Sequence, residues 1–506
     1  MTAKNGVRDA LWISAAILAL HLVLARSYPV IYGGDTIVRL VNLPRISISY
    51  QLPLFQLLLR AAVGASRGPF AVWFLMGSLA ALGGAGLYAL VREITADRGA
   101  AVAAALFYAT HPFLLYYSRV PYQESLVAAL VFWGFYFLFS ACGPRPLPSS
   151  LALGLAALTR YEAWLASALA AAFYALRGRP TAKASLAAAA LFGWGPALWI
   201  AWNGGISPPG TYLLDGSVTL ERLYRPYFIV KTAVWWSAAG FTALAVMGIA
   251  AMLADRKLRN DPRLRWLLLF AALSLALLVF SGHGVAPDPA RLVTEREAFV
   301  PLGILALCSG VGAAALAAQI QRALPRMGRA VAAAVVCVVA AAGLVRAQGR
   351  IAAANLEPEL RTDYEVARHL QSRGAAAIVL ARPLPSEEID RYLRRAEELR
   401  GPEGRRAAER VLAGMETTPF DYQRVVVHSW LGKERVFSSG AARGLDRAAL
   451  ESFLRERRIE RAVVFSDFRP EAEYERILLE LVSGRAPEAE IRHGAKGARI
   501  YPLGGS

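Results

Sequence analysis

The chain has 506 residues, 56% of them hydrophobic and only 19% charged, with a formal net charge of +18. That composition is too apolar for an ordinary soluble protein of this length. The basic excess does not point to nucleic acid, because the arginines sit in short connectors between apolar runs and form no stripe interleaved with aromatics.

Apolar runs recur from Leu11 to about Val345, and from Gln348 onward the sequence turns charged. Two parts are expected: a polytopic α-helical membrane domain over 1–347 and a soluble domain over 348–506, large enough to hold its own core. Cys142, Cys308 and Cys337 lie in or beside predicted helices and show no zinc-like spacing.

The first predicted span covers 9–26. Its Val23-Leu24-Ala25 resembles a small-residue cleavage site, but a retained anchor is expected, since cleavage would leave Asp35 beside a free N-terminus. Next comes Tyr32-Gly33-Gly34-Asp35-Thr36. The glycines let the backbone turn tightly and bring one carboxylate to a helix end or a ligand, although Gly-Gly-Asp is also a plain turn signal. The rest of the loop, with Tyr28, Ile37, Leu40, Ile46, Ile48 and Tyr50, has the pattern of an interfacial segment.

Spans over 70–91 and 99–117 lead to Ser118-Arg119-Val120-Pro121-Tyr122-Gln123-Glu124. Glu124 opens the apolar run 125–141, where an acid is favoured by the helix dipole in any case. The planar guanidinium of Arg119 suits a carboxylate or a phosphate. Leu151 to Leu176 then reads as two short helices meeting at Arg160-Tyr161-Glu162. A charge at bilayer depth costs roughly 2.5 to 3.5 kcal/mol on insertion scales, so such a break marks either a site or a self-neutralising joint.

Further spans are expected over 185–203, 229–253, 264–281, 298–318 and 329–346, with a Gly/Pro/Tyr-rich loop at 204–228. The segment 282–297 holds His283, Arg291 and Arg296 just before an apolar helix. There Arg296 lies nearer the helix start than Arg291, and the bland alternative is a solvated loop of weak ion pairs. With a cytoplasmic N-terminus and about eleven passes, every basic connector falls inside. Asp35, Glu124, Glu162, the 204–228 loop and 282–297 are then expected to share the external face with the C-terminal domain. The protein is thus expected in the cell membrane. The charged break faces a cavity, because irregular backbone at depth needs protein or water around it.

At these residues the chain resembles the GT-C superfamily of polyprenyl-phosphate-dependent membrane glycosyltransferases, especially relatives of the protein O-mannosyltransferases and lipid A aminoarabinose transferases. The matching stretches are Gly-Gly-Asp35, Ser118-Arg119 with Glu124, Gly154 to Glu162, and Arg296-Glu-Ala-Phe-Val-Pro301. The resemblance implies a GT-C-type membrane fold, a polyprenyl-phosphate-linked sugar donor, Asp35 as catalytic base and Glu124 at the place of a second acid. Some relatives carry two adjacent acids where this chain has Asp35-Thr36.

The chemistry fits independently. A lipid phosphate leaves without full protonation when arginine stabilises it, so only the incoming hydroxyl or amine needs a base. Asp35 is the expected base and Glu124 a helper or sugar ligand. Arg119, Arg160, Arg291 and Arg296 are expected donor contacts, with Tyr161, Glu162 and His283 beside them. A single displacement inverts the anomeric carbon. The acceptor is an external lipid, glycan or protein, membrane lipids surround the helices, and nucleic acid is not a partner. Asp35 and Glu124 alone make a thin oxygen shell for a divalent cation. The alternative is a lipid or lipid-linked sugar flippase with an external accessory domain, a class that shows broken helices in both halves.

The C-terminal part alternates helix and strand. Helices are expected at 362–372, 387–412, 447–457 and 471–482, and strands at 375–380, 424–427, 461–465 and 498–501. Such alternation predicts a three-layer α/β sheet with mostly parallel strands. Asp467, after the third strand, is the only acid well placed at a strand end.

Overall fold

The computed structural model describes residues 3–31, 34–43, 52–65, 68–177, 181–202, 239–280, 299–381, 394, 397, 420–429, 434–470 and 472–503. His283, Arg291, Arg296, the 204–228 loop and nearly all of the helix expected at 387–412 lie outside the described residues, as does the side chain of Asp35. The chain divides into two compact units. One holds Met1–Ser27, Arg45–Gly64 and Phe70–Ile351; the other holds Tyr28–Pro44, Ala65–Pro69 and Ala352–Ser506. The loop carrying Asp35, which the sequence places with the membrane helices, thus belongs to the compact unit of the C-terminal residues.

In chain order the first helices are α1 (Ala3–Ser27), α2 (Gly34–Val41), α3 (Pro53–Ala65), α4 (Pro69–Thr95), α5 (Arg98–Thr110), α6 (Pro112–Arg119) and α7 (Glu124–Leu138). They are followed by α8 (Pro146–Ala157), α9 (Glu162–Leu176), α10 (Ala182–Trp202), α11 (Ala239–Ala254), α12 (Pro262–Phe280), α13 (Phe299–Ala323) and α14 (Gly328–Leu356). Helix α2 falls in the second unit, and the spans expected from the sequence omit α3. Five described helices are long and apolar enough to cross a membrane: α4, α10, α13, α14 and the Gly6–Ser27 part of α1. A sixth span follows if the bent pair α5 and α6 is counted as one. Large apolar side chains such as Trp12, Val23, Leu186, Trp202, Val338 and Val345 are exposed on these helices. Lipid is the solvent in which such surfaces are stable.

Local chemistry sets the breaks. The Asp97 carboxylate accepts the N–H groups of Gly99 at 2.7 Å and Ala100 at 3.2 Å and so caps α5. Pro112 lacks an N–H and pushes His111 into an extended conformation, so α5 and α6 meet at 58°. The sequence predicts a single span over 99–117 here, and the bend is a break additional to the one at Arg160.

Helices α11 and α13 approach backbone to backbone. A Cβ at Gly248 would strike the Cys308 carbonyl, and one at Gly312 would strike that of Leu244. Small residues permit this contact, which substitutes for a hydrophobic drive where both helices are already in lipid. Around it lies an aromatic core that includes Phe107, Phe113, Phe132, Phe135 and Phe299.

In the second unit, α15 (Pro358–Arg373) ends at Gly374, whose φ of +60° places it in the left-handed region. Then come β1 (Ala376–Leu380), α16 (Phe420–Ser429), β2 (Val436–Ser438), α17 (Arg447–Glu456), β3 (Ile459–Phe465), α18 (Glu473–Val482), β4 (Ala489–His493) and β5 (Lys496–Pro502). The sheet order is β2-β1-β3-β5-β4. Strands β2, β1 and β3 are parallel, while β5 runs antiparallel to both β3 and β4. Val366, Leu370, Tyr422 and Val425 from α15 and α16 pack on one face. Leu450, Leu454, Leu478 and Val482 from α17 and α18 pack on the other, giving three layers.

One expected strand is corrected. The segment 424–427 lies inside helix α16, although Val425-Val426-Val427 has strand-like composition. Its polar residues Asp421, Arg424 and His428 recur at helical spacing, and each finds a partner that a strand would not offer.

Candidate active site

Helices α8 and α9 are interrupted at Leu158–Tyr161. The break is made of ordinary parts. The Leu158 amide still bonds back to the Gly154 carbonyl at 3.0 Å, and Arg160 N–H reaches Ala156 O at 3.0 Å. The Trp164 indole donates to the Ala157 carbonyl at 3.0 Å, and Leu54 N–H donates to that of Leu158 at 3.2 Å. Carbonyls that a continuous helix would have used are thus satisfied from outside it, as an apolar surrounding demands.

The freed turn presents Arg160. Its guanidinium donates through Nη1 to Glu124 Oε1, through Nη2 to Glu162 Oε1, and through Nε to Glu162 Oε2 at 2.9 Å. Glu162 is therefore held as a bidentate pair, and Glu124, the first residue of α7, is 2% exposed. Among the described residues one positive charge stands between two negative ones. Together with Val127, Val131, Ala163, Phe270 and Ser274, these three residues line a cleft. Phe299, Val300 and Pro301 line it too. They end the Arg296 to Pro301 motif, so stretches far apart in sequence meet at one hollow.

Arg119 ends α6 and is buried, its guanidinium 4.9 Å from the centre of the Trp73 ring. Beside it, Ser118 Oγ lies 3.3 Å from His21 Nε2 and donates to Leu115 O at 3.0 Å. Tyr161 stacks edge-on against Trp164 with ring centres 5.2 Å apart. Asp35 sits in the first turn of α2. The next residue, Thr36, is fully buried, a position where a second acid would carry a heavy desolvation cost.

A second charged network, missed from the sequence, occupies the C-terminal unit. Lys496 Nζ bridges Asp421 Oδ2 at 2.9 Å and Asp467 Oδ2 at 3.0 Å. Arg424 Nη1 donates to Asp363 Oδ2 at 3.2 Å. Burial, reinforced by the nearby Asp421 charge, raises the Asp363 carboxyl well above its ordinary range. Burial lowers the affinity of Lys496 for its proton, but Asp421 and Asp467 outweigh that and raise it. The helical spacing of Asp421 and Arg424 was the available signal. Asp467 serves as an ion-pair partner here.

No family model matches the chain, and no curated protein matches it. Among solved structures, ArnT from Cupriavidus metallidurans in the apo state is similar with a TM-score of 0.51 at 10% identity, covering 98% of each chain. The Archaeoglobus fulgidus oligosaccharyltransferase in the apo form gives 0.48 at 12% identity over 90% of this chain and 69% of that one. The arabinofuranosyltransferase AftD from Mycobacteria gives 0.47 at 17% identity over 98% of this chain and 40% of that one. The chain shares the fold of ArnT and carries several helices long and apolar enough to cross a membrane.

Proposed function

We propose that the protein is a glycosyltransferase that moves a sugar from a polyprenyl-phosphate donor to an external lipid, glycan or protein, with inversion. The observation that carries this reading is the Glu124–Arg160–Glu162 cluster, set at a helix break and lining a cleft within a GT-C fold. Fixed carboxylates in an apolar wall are suited to the hydroxyls of a sugar. Arg160, already committed to two carboxylates, orders them. The phosphate charge falls chiefly to Arg119 and Arg296, with Arg291 and His283 beside them. Asp35 acts as base toward the acceptor, which needs one carboxylate because phosphate departs unprotonated. The orientation is N-terminus cytoplasmic, C-terminal domain external, with domains near 1–347 and 348–506 in sequence.

The flippase alternative gains a second broken helix at His111. Both breaks found among the described residues, however, fall between Arg98 and Leu176, in neighbouring stretches of the chain. A transporter built from repeats places them in corresponding positions of two halves. Mass spectrometry of lipids, glycans and surface proteins from cells with and without the chain tests the transferase. Loss of one sugar-bearing product in the absence of the chain, and again with Asp35→Asn at normal protein levels, is expected. Full product with Asp35→Asn removes the proposed base.

A further inference from the structure

The segment that leads into Asp35 is fixed by the C-terminal unit. His428, on α16, is 3% exposed, and its Nδ1–H donates to the Arg424 carbonyl one turn earlier at 2.8 Å. That bond settles the tautomer, leaving the Nε2 lone pair to accept the backbone N–H of Ile31 at 3.1 Å. Tyr364 of α15 stands edge-on to the same ring at 5.5 Å. One residue earlier, Val30 N–H donates to Asn355 Oδ1 at 2.9 Å.

Val30 and Ile31 are non-helical and buried, so each N–H needs a partner and a side chain supplies it. The following helix α2 then packs on α16 through a side that buries Ile37 and Leu40. Helix α16 itself is pinned to the sheet by Lys496, which joins Asp421 to Asp467 at the end of β3. Residues more than three hundred positions later in the chain thus hold the backbone just ahead of α2.

We propose that His428 and Asn355 are positioning residues for transfer, which hold the Val30–Ile31 backbone just ahead of α2, the helix whose first turn carries Asp35. This rests on Asp35 being the base. A misplacement of about 1 Å can cost on the order of 100-fold in rate, so loss of either anchor acts on turnover more than on accumulation.

The test compares His428→Leu, which removes the acceptor, with His428→Gln, whose amide oxygen can replace Nε2. Both are made in the full chain in cells that carry no other copy. Backbone hydrogen exchange at Ile31 is read on the purified protein in nanodiscs, and product by mass spectrometry. His428→Leu is expected to speed exchange at Ile31 at least about tenfold and to lower product about 10- to 100-fold. His428→Gln is expected to restore both. Unchanged exchange in His428→Leu, wild-type product despite faster exchange, or no rescue by His428→Gln overturns the proposal. If His428→Leu does not accumulate, Asn355→Leu against Asn355→Asp decides the same question at Val30. The two readings separate cleanly. Product that survives Asp35→Asn overturns the base, whereas product lost in Asp35→Asn but kept in a loosened His428→Leu overturns the anchor alone.

Discussion

Two regions of this protein bury arginine against carboxylates, and they do so to different ends. At the α8–α9 break Arg160 is shared between Glu124 and Glu162 inside an apolar helical unit, and all three line a cleft. In the C-terminal unit Arg424 and Lys496 tie Asp363, Asp421 and Asp467 together where helices meet the sheet. Burial and pairing are common to both. What separates them is surroundings: the first network forms part of a cavity wall, and the second ties one element to another. A buried ion pair is therefore informative about chemistry only with its cavity.

The largest effect that sharpens this contrast is expected for Arg160→Met. It breaks the pairs that Arg160 makes with Glu124 and Glu162, and breaking a buried pair costs about 3 to 5 kcal/mol. Thermal unfolding of the nanodisc-embedded protein should shift down strongly and product should vanish. Glu124→Gln, which removes a charge but keeps a hydrogen-bonding oxygen, should lower product while keeping most of the stability. Equal unfolding shifts in both variants would break the contrast.

A pH effect comes next. Burial lowers the His428 imidazole to about 4 from its ordinary 6.5. Above pH 6.5 it is neutral whether the chain is folded or not. As pH falls, the unfolded chain takes a proton that the folded site refuses, so stability is lost down to about pH 4 and the loss then levels off. The Arg424 charge beside the ring acts in the same direction. The shift corresponds to roughly 3 kcal/mol. Asp363 works the other way: its raised carboxyl favours folding less as pH rises above the ordinary carboxylate range. Unfolding of the C-terminal unit followed by hydrogen exchange from pH 7 to pH 4 should show a shallower loss in His428→Gln than in the wild type.

Lys496→Met removes one cation from two carboxylates, of which Asp467 is partly exposed and screened. About 2 kcal/mol is expected, read as faster exchange across α16. The smallest effect is Arg499→Ala. Its pair with Glu490 is exposed on both sides, and no shift in melting temperature is expected.

Much of the helical part was legible because a bilayer imposes long apolar runs, and the break at Arg160-Tyr161-Glu162 was legible because charge there is expensive. The bend at His111 was marked only by Pro112, which a hydropathy count ignores. Helix α3 went unnoticed because 13 residues fall short of a span. Helix α16 was misread because three consecutive valines outweigh polar residues whose value depends on partners such as Asp363, Lys496 and Ile31. Nor could local pattern assign the Asp35 loop to the C-terminal unit. That assignment rests on His428 and Asn355, contacts of very high sequence separation.

The ends of the sheet carry a consequence for life at high local density. Among the described residues it is bounded by β2, only three residues long, and by β4, whose Glu490 and Arg492 face water. A short border on one side and a charged border on the other give a neighbouring polypeptide little to template on. The C-terminal unit is thereby guarded against strand exchange and aggregation when many copies crowd one membrane.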